Sequence, residues 1–277
     1  MRSSSIALVS ILGLAASCVA LQGCSLDCTG NSCTAKTVPE WIDGNTASAA
    51  ADTDWNGTDE INITSDGVNP LTGTGGVTID FDPSATKISA TATISGRADT
   101  LEEAKLSWAD VRQSFKVTSN SVVCKHGNAH GTSTVAGSGC KSLTVKVPAG
   151  TAAKPLRIVV GAGNGGIRFS GATPTVSFAN VASNGLGDVN VKFTPVKDAR
   201  IVVTGEDALV VGMPANFSAR KITLTVDEDA KFTISDFPGM ENLKPFPTSG
   251  ASQDAMEELN VTSKGILSDD TVTISKF

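Results

Sequence analysis

Hydrophobic and polar residues alternate along most of the chain from Trp55 onward. Three clear examples are GVTIDFD (76–82), LTVKVPAG (143–150) and KITLTVDED (221–229). In each, three apolar residues occupy every second position, with Thr, Lys or Asp between. Extended backbone points successive side chains to opposite faces, so this period of two is typical of half-buried strands. The pattern predicts an all-β fold.

One segment, residues 100–115 (TLEEAKLSWADVRQSF), departs from this alternation. Thr100 and Glu103 have the spacing of a capping box, in which each residue satisfies the other's backbone amide. Apolar residues follow at helical spacing: Leu101, Ala104, Trp108, Val111 and Phe115. The sequence therefore predicts one short amphipathic helix among the strands.

The second half of the chain contains degenerate repeats. GAGNGGIRFSG (161–171), SNGLGDVNVKF (183–193) and TGEDALVVGMP (204–214) each join a turn of Gly, Asn or Asp to an alternating strand. TSKGILSDDTVTISKF (262–277) is a fourth, more degenerate copy. Turns about 20 residues apart are typical of a β-solenoid, whose coils stack to bury their apolar faces. A β-sandwich is the alternative, because it has similar turn spacing.

The N-terminus predicts export and lipid attachment. Arg2 precedes an apolar run from Ile6 to Leu21, whose ~24 Å as a helix is short of the ~30 Å bilayer core. A secretory signal peptide is therefore favoured. LQGC (21–24) resembles the lipobox of bacterial lipoproteins, which implies cleavage after Gly23 and acylation of Cys24, with palmitate among the acyl chains. Ser25 then favours outer-membrane sorting. An ordinary signal peptide with a chance cysteine is the alternative.

The four cysteines that follow Cys24 form two local pairs, Cys28 with Cys33 and Cys124 with Cys140. An exported protein meets an oxidising compartment, so both pairs are predicted disulfides. Four cysteines allow three connectivities, and closeness in sequence favours this one.

These features predict three regions. Residues 1–23 are assigned to the signal peptide, residues 24–54 to a tether with a small disulfide clip, and residues 55–277 to the β domain. Trp41 and Ile42 are the tether residues suited to packing on the domain.

Composition narrows the function. The 277 residues include 22 Lys and Arg against 28 Asp and Glu, only 5% aromatic residues and no Tyr. A mildly acidic chain without basic clusters argues against nucleic-acid binding and against electrostatic binding to membranes. We expect contact with the bilayer through the acyl anchor, and a cell-surface polysaccharide or protein as partner.

A family resemblance follows from VVCKHG, GSGCKSLTVKVPAG, LRIVVGAGNGGIRFSG and SNGLGDVNVKF, taken in order. The paired cysteines, the VPAG strand end and the iterated GNGDV-like turns resemble a family of myxobacterial lipoproteins related to adhesin-like β-solenoid domains. The resemblance spans roughly residues 55–277. It departs at Gly165–Gly166, which replace Asp, and at the inserted Leu186–Gly187. It implies a surface-exposed lipoprotein with a binding or structural role.

Two motifs resemble a dinucleotide site and a zinc site, but their sequence context favours neither. Gly161, Gly163 and Gly166 form G-x-G-x-x-G, but a strand-like segment follows where a dinucleotide site needs a helix. These glycines are predicted to supply positive φ at a tight turn. His126 and His130 could bind zinc only with reduced cysteines, so a disulfide loop with solvent-facing histidines is preferred. No nucleotide partner is expected.

Calcium is the only cofactor that the sequence suggests. DTDWNGTDE (52–60) matches the first half of a calcium loop, with Asp52, Asp54, Asn56 and Glu60 as candidate ligands. Ile63 stands where the bidentate Glu belongs, so an acidic turn without metal is the preferred interpretation.

Catalytic motifs are scarce. The sequence has no G-x-S-x-G elbow, and neither histidine lies beside an evident nucleophile. Carboxylates such as Asp80 and Asp82 could flank a glycosidic bond. We therefore predict a non-catalytic, adhesin-like β domain, with a solenoid-type carbohydrate-active enzyme as the alternative.

Overall fold

The computed structural model describes residues 24–29, 32–37, 40–66, 76–98, 100–128, 137–163, 165–185, 187–215, 217, 219–225, 231–234, 248–250, 257–263 and 271–277. Within them the chain forms a short hairpin, two open sheets of nine strands each and one helix. This confirms the prediction of an all-β fold with a single short helix.

The first large sheet is called the front sheet. In chain order its strands are β3 (Glu40–Ala50), β5 (Gly76–Asp82), β6 (Ser89–Ala98), β9 (Gly137–Pro148), β11 (Ile167–Gly171), β13 (Val189–Lys192), β15 (Leu209–Met213), β17 (Lys231–Ile234) and β20 (Thr271–Lys276).

The second large sheet is called the back sheet. Its strands are β4 (Ile61–Ser65), β7 (Lys116–Val117), β8 (Ser121–Cys124), β10 (Leu156–Ala162), β12 (Thr175–Ser183), β14 (Thr194–Gly205), β16 (Ala219–Thr225), β18 (Thr248–Gly250) and β19 (Glu257–Ser263). The hairpin consists of β1 (Cys24–Thr29) and β2 (Ser32–Thr37).

The chain passes repeatedly from the back sheet to the front sheet. Each back strand and the front strand that follows it form one coil, for example β10 with β11 and β12 with β13. Neighbouring coils pair in parallel in both sheets. Parallel stacking distinguishes this arrangement from the antiparallel sheets of an immunoglobulin-type sandwich. It is the coil-on-coil organisation that the repeats predict.

The coils do not stack in chain order. Across the sheets they run β8–β9, β4–β5, β10–β11, β12–β13, β14–β15, β19–β20 and β16–β17. The β4–β5 coil thus lies between β8–β9 and β10–β11, which both come later in the chain. The β19–β20 coil lies between β14–β15 and β16–β17, which both come earlier in the chain. Simple solenoids stack each repeat on its neighbour in sequence, so these two insertions are features that the repeats do not predict.

The inward-facing positions of both sheets form one core. Aliphatic residues at every second position, including Ile79, Val145 and Ile158, are fully buried. Aromatic rings bridge three coils: the ring centroids of Phe81 and Phe169 lie 4.9 Å apart and those of Phe169 and Phe193 lie 5.3 Å apart, both edge to face. Such pairs add to the burial energy of the rings.

The predicted helix is present as α1 (Leu101–Ser114), and both bonds of the capping box are made. The amide of Glu103 donates to Thr100 Oγ1 at 3.3 Å, and the amide of Thr100 donates to Glu103 Oε2 at 3.2 Å. The helix buries Ala104, Ser107, Trp108 and Val111 and lies against β6, β9 and β3. It therefore covers one end of the core. Leu101, predicted on the apolar face, is exposed instead because it begins the helix.

Strand β3 lies in the segment that the sequence assigns to the tether. It pairs antiparallel with β6 at the edge of the front sheet. Ile42 and Ala47 pack against the core from this strand. Residues 40–50 of the predicted tether therefore form an edge strand of the front sheet.

Candidate interaction face

The outward surface of the front sheet carries a continuous polar row. One residue from each of its nine strands lies in register with the next. Strands are spaced by about 4.8 Å, so the row is roughly 38 Å long. Its members, called the polar row, are Ser48, Thr91, Thr144, Thr78, Arg168, Asn190, Val210, Thr273 and Thr233.

Hydrogen-bonding side chains dominate the polar row, in which Val210 is the one aliphatic member. Hydroxyl or amide side chains occupy seven of its nine positions, and Arg168 lies in the middle. The hydroxyls of Ser48 and Thr91 lie 3.1 Å apart and share a hydrogen bond. Hydroxyl and amide groups both donate and accept. The row therefore offers repeated hydrogen-bonding groups at strand spacing.

A groove of about 440 Å³ runs beside the polar row, where β5, β11, β13 and β15 begin. Gly76, Gly166 and Gly187 line it. A Cβ on Gly166 would collide with the backbone oxygen of Asp188, so the turns of adjacent coils approach closely. Polar groups along the groove are Ser142, Thr78, Arg168, Asp188 and Asn190.

Arg168 is the cation of this groove. Its side chain is exposed, and no carboxylate in the described segments forms an ion pair with it. A guanidinium presents five donors in a planar fork that suits carboxylate and other planar acceptors. The position is therefore available to an anionic or hydroxyl-rich ligand.

A charged pair stands at the other edge of the same face. Lys146 Nζ lies 2.9 Å from Asp82 Oδ2, and Ser84 donates to Asp82 Oδ1 through its hydroxyl at 2.6 Å and its amide at 2.8 Å. The Ser84 hydroxyl, followed by Lys146, holds the pKa of Asp82 well below its usual range. Asp82 in turn raises the pKa of Lys146, with Asp80 adding a smaller attraction. Both groups stay ionised near neutral pH.

The back sheet presents a different surface. Arg157 pairs with Glu60 at 3.3 Å, and its Cζ lies 4.9 Å from the centre of the Phe178 ring. The central outward row of this sheet includes Val159 and Val202 between asparagines. The Arg157–Glu60 pair and the aliphatic members of the central row make the back sheet the less suitable face for a polar ligand.

The structure places the predicted calcium ligands in a tight acidic turn. Asn56 Oδ1 accepts the amides of Thr58 and Asp59, both at 2.9 Å, and Gly57 adopts a left-handed φ of 84°. The carboxylate of Glu60 binds Arg157. Among the described residues, no three His, Cys, Asp or Glu side chains are grouped as a metal site.

Asp54, another predicted ligand, accepts a hydrogen bond from Thr86 Oγ1 at 3.2 Å. At Asp52 the backbone oxygen accepts from Lys87 Nζ at 2.8 Å. Of the four candidates, Asn56 closes the turn, whereas Asp54 and Glu60 contact residues outside it.

One of the two predicted disulfides is present among the described residues. A disulfide joins Cys124 to Cys140, as predicted, with Cα atoms 6.3 Å apart. Cys28 lies directly opposite Cys33 in the β1–β2 hairpin, a register that suits the predicted clip. Cys24 begins β1. The predicted signal peptide, residues 1–23, lies outside the described residues.

Of the two histidines, His126 lies within the described residues. His126 Nδ1 lies 3.3 Å from the backbone oxygen of Ser138, and His130 lies outside the described residues. Since Cys124 and Cys140 are bonded to each other, neither supplies the thiolate that the zinc alternative requires.

The glycine motif forms a strand–turn–strand unit, as the sequence indicates. Of the turn's glycines, Gly165 carries the left-handed φ of 104°. This corrects the prediction that the three spaced glycines supply positive φ. Gly163 and Gly166 instead permit close approach, since a Cβ on Gly163 would lie 3.1 Å from the backbone oxygen of Asp66.

Sequence reasoning missed the groove and the role of Arg168. The outward position of Arg168 is readable from IRFSG, because Ile167 precedes it and faces the core. Its neighbours Thr78 and Asn190 come from other coils, and Thr78 is far away in sequence. The local sequence pattern therefore identifies Arg168 only as an outward-facing polar residue. The order of the coils is what places it beside Thr78 and Asn190 on the surface of the front sheet.

No helix in the described part of the chain is long and apolar enough to span a bilayer. The fold and its exposed face define a class: an all-β domain of stacked two-strand coils, capped by a helix and displaying a polar sheet surface.

Comparison with known proteins does not narrow this class. No family model matches the chain, and no curated protein matches its sequence. One crystal structure, described as a "putative cell adhesion protein" from Clostridium sporogenes, has 11% sequence identity and a TM-score of 0.48. The match covers 84% of this chain and 100% of that one. The resemblance to myxobacterial lipoproteins stays a prediction.

Proposed function

We propose that this protein is an exported, lipid-anchored surface protein whose β domain binds an extended acidic polysaccharide without catalysing a reaction. The observation that carries the proposal is the polar row with its adjacent groove. A ligand rich in hydroxyl and carboxylate groups matches a face of hydroxyl, amide and guanidinium groups.

The shape of the groove supports an extended ligand. The groove crosses five strands, from Ser142 on β9 to Val210 on β15, which is roughly 19 Å at normal strand spacing. Because it runs across the strands, a polymer lying in it meets equivalent positions of successive coils. Repeated positions favour a repeating ligand.

The charge state of Asp82 argues against it as the acid of a glycosidase. A glycosidase needs a carboxylic acid that stays protonated near neutral pH, which requires a raised pKa. Asp82 has a lowered pKa instead, because Ser84 and Lys146 stabilise its carboxylate. It therefore suits an ionised surface group, not a proton donor.

The binding proposal is tested by measuring the affinity of the purified full chain for acidic and neutral polysaccharides. Arg168→Ala is compared with Arg200→Ala, since Arg200 is also exposed but lies on the back sheet. We expect Arg168→Ala alone to weaken binding, and added salt to weaken wild-type binding because a surface charge contributes.

Three results would contradict the binding proposal. Equal losses in the two arginine variants would place the ligand elsewhere. Binding to a protein but to no polysaccharide would assign the face to a protein partner. Cleavage of a polysaccharide that is lost on mutating a carboxylate would identify an enzyme.

The lipid anchor rests on the LQGC resemblance and is tested separately. Cys24→Ala should abolish fatty-acid labelling and release the protein from the outer-membrane fraction. Cys18→Ala, which removes a cysteine outside the lipobox-like segment, should leave both unchanged. A Cys24→Ala variant that still partitions into detergent and fractionates with membranes would show that the anchor is wrong.

A further inference from the structure

A pocket of about 270 Å³ opens where three loops meet at one edge of the front sheet. The loops follow β3, β5 and β9, so the pocket lies beyond the C-terminal ends of β5 and β9. The groove beside the polar row lies where β5 begins, at the opposite edge. The two sites are therefore separate. The pocket is called the Trp55 pocket, and its lining includes Asp54, Trp55, Gly57, Pro83, Thr86, Pro148, Ala149, Thr151 and Lys154.

The apolar wall of the pocket is held rigidly. The backbone amide of Trp55 donates to the oxygen of Thr86 at 2.8 Å, and its indole Nε1 donates to the oxygen of Asp59 at 2.9 Å. The ring also packs against the core. With Pro83 and Pro148 beside it, Trp55 presents a fixed aromatic and aliphatic surface whose polar N–H group is already satisfied.

Polar groups stand around this wall. Asp54 accepts one hydrogen bond, from Thr86 Oγ1, and a carboxylate has further acceptor capacity. The aliphatic part of the Lys154 side chain packs over Gly57, because a Cβ added to Gly57 would lie 2.8 Å from Lys154 Cδ. No carboxylate in the described segments pairs with the Lys154 ammonium group. The rim therefore offers one strong acceptor and one strong donor.

We propose that the Trp55 pocket binds a single neutral pyranose unit. A sugar ring has an apolar C–H face that suits Trp55, and hydroxyls at its edge that can donate to Asp54 and accept from Lys154. Opposite charges at the rim favour a neutral, hydroxyl-rich ligand over an anion or a cation. The volume is slightly below the ~300–1,000 Å³ of pockets for drug-sized ligands, which fits one ring.

The experiment measures binding of neutral monosaccharides to the purified full chain by saturation-transfer NMR and calorimetry. We expect at least one to bind, with affinity falling about tenfold or more in Asp54→Asn and in Lys154→Ala, since each loses a hydrogen bond to a charged group. Trp55→Ala should abolish binding. Because Trp55 packs on the core, Trp55→Phe is included as a milder variant, and circular dichroism checks that each variant folds.

Two control variants test whether the sugar binds in the Trp55 pocket rather than elsewhere on the domain. Lys125→Ala removes an exposed lysine that follows β8, at the other edge of the sheets, and should bind the sugar as wild type does. Arg168→Ala should also bind it normally, so failure of the groove proposal and failure of this one are distinguishable.

The proposal is overturned if no neutral monosaccharide binds, or if binding persists in Asp54→Asn and Lys154→Ala. It is equally overturned if only carboxylate-bearing peptides bind and their binding depends on Lys154.

Discussion

Cys124 and Cys140 join the two sheets through a disulfide in the β8–β9 coil, at one end of the parallel stack, with their Cα atoms 6.3 Å apart. Cys124 ends β8 in the back sheet and Cys140 lies in β9 of the front sheet. Both residues are fully buried. This coil has another parallel coil on one side only, so the covalent link lies at an end of the parallel stack.

Removing this link should destabilise the domain. The disulfide closes a loop with a sequence separation of 16 residues, and the chain-entropy model gives about 3 kcal/mol for a loop of this size. We expect Cys124→Ser/Cys140→Ser to unfold at correspondingly lower denaturant concentration. Reductant should lower the wild-type midpoint similarly. If reductant lowers the unfolding midpoint of the double variant as well, that change is assigned to the predicted Cys28–Cys33 disulfide. Equal midpoints for wild type and variant would contradict the prediction.

The Asp82–Lys146 pair should make stability depend on pH in acid. The pKa of Asp82 is lower in the folded protein than its usual 3.8. The folded state then binds fewer protons than the unfolded state, so this contribution is present above pH 3.8 and is lost as pH falls through the folded pKa. Asp82→Asn should therefore be less stable than wild type near neutral pH, and the gap should close in acid.

Thermal unfolding of both proteins across the acid range measures this gap. Ser84→Ala removes the hydroxyl that contributes most to the lowered pKa, so it should raise the Asp82 pKa part of the way, which NMR titration can follow. A gap between wild type and Asp82→Asn that is the same at neutral and acid pH would exclude the pair as its cause.

Local sequence predicts the elements of this fold well because their causes are local. The alternation in GVTIDFD fixes which side chains of β5 face the core, and Val77, Ile79 and Phe81 are buried as expected. The Thr100–Glu103 capping box also forms from residues three apart. Strand β3 is missed because its Ala, Ser and Gly residues give little hydrophobic contrast, which an edge strand tolerates.

The coil order and the candidate sites could not be predicted in this way. Arg168 lies beside Thr78 because the β4–β5 coil stacks on β10–β11, a choice decided by packing between distant segments. The Trp55 pocket likewise combines three loops that are distant in sequence. A single sequence contains no local pattern that links such residues.

The helix α1 should stabilise the domain mainly by covering the end of the core. Trp108 is 6% exposed, and its ring lies against Gly44 and Gly96, where added Cβ atoms would approach it to 2.7 and 2.9 Å. Trp108→Ala is expected to cost about 3–5 kcal/mol, as for other buried aromatic residues. Leu106→Ala, on the same helix but 55% exposed, should change stability by no more than about 0.5 kcal/mol. Similar losses in the two variants, measured by denaturant unfolding, would show that α1 is not a cap.

The close stacking of turns predicts a sharp contrast between two glycines of one motif. A Cβ on Gly166 would collide with the backbone oxygen of Asp188 in the next coil, and backbone cannot rotate away as a side chain can. No atom lies within 4 Å of a Cβ on Gly161. Gly166→Ala should therefore cost about 1–3 kcal/mol, the usual range for overpacking.

Gly161→Ala should be neutral or slightly stabilising, because alanine restricts the unfolded chain more than glycine does. Denaturant unfolding of both variants and wild type compares the two positions directly. Since Gly166 also lines the groove, its variant should weaken polysaccharide binding while Gly161→Ala leaves binding unchanged. Equal stability of the two variants would mean that the turns of adjacent coils do not approach as closely as the structure shows. The groove lined by these turns would then not have the shape described.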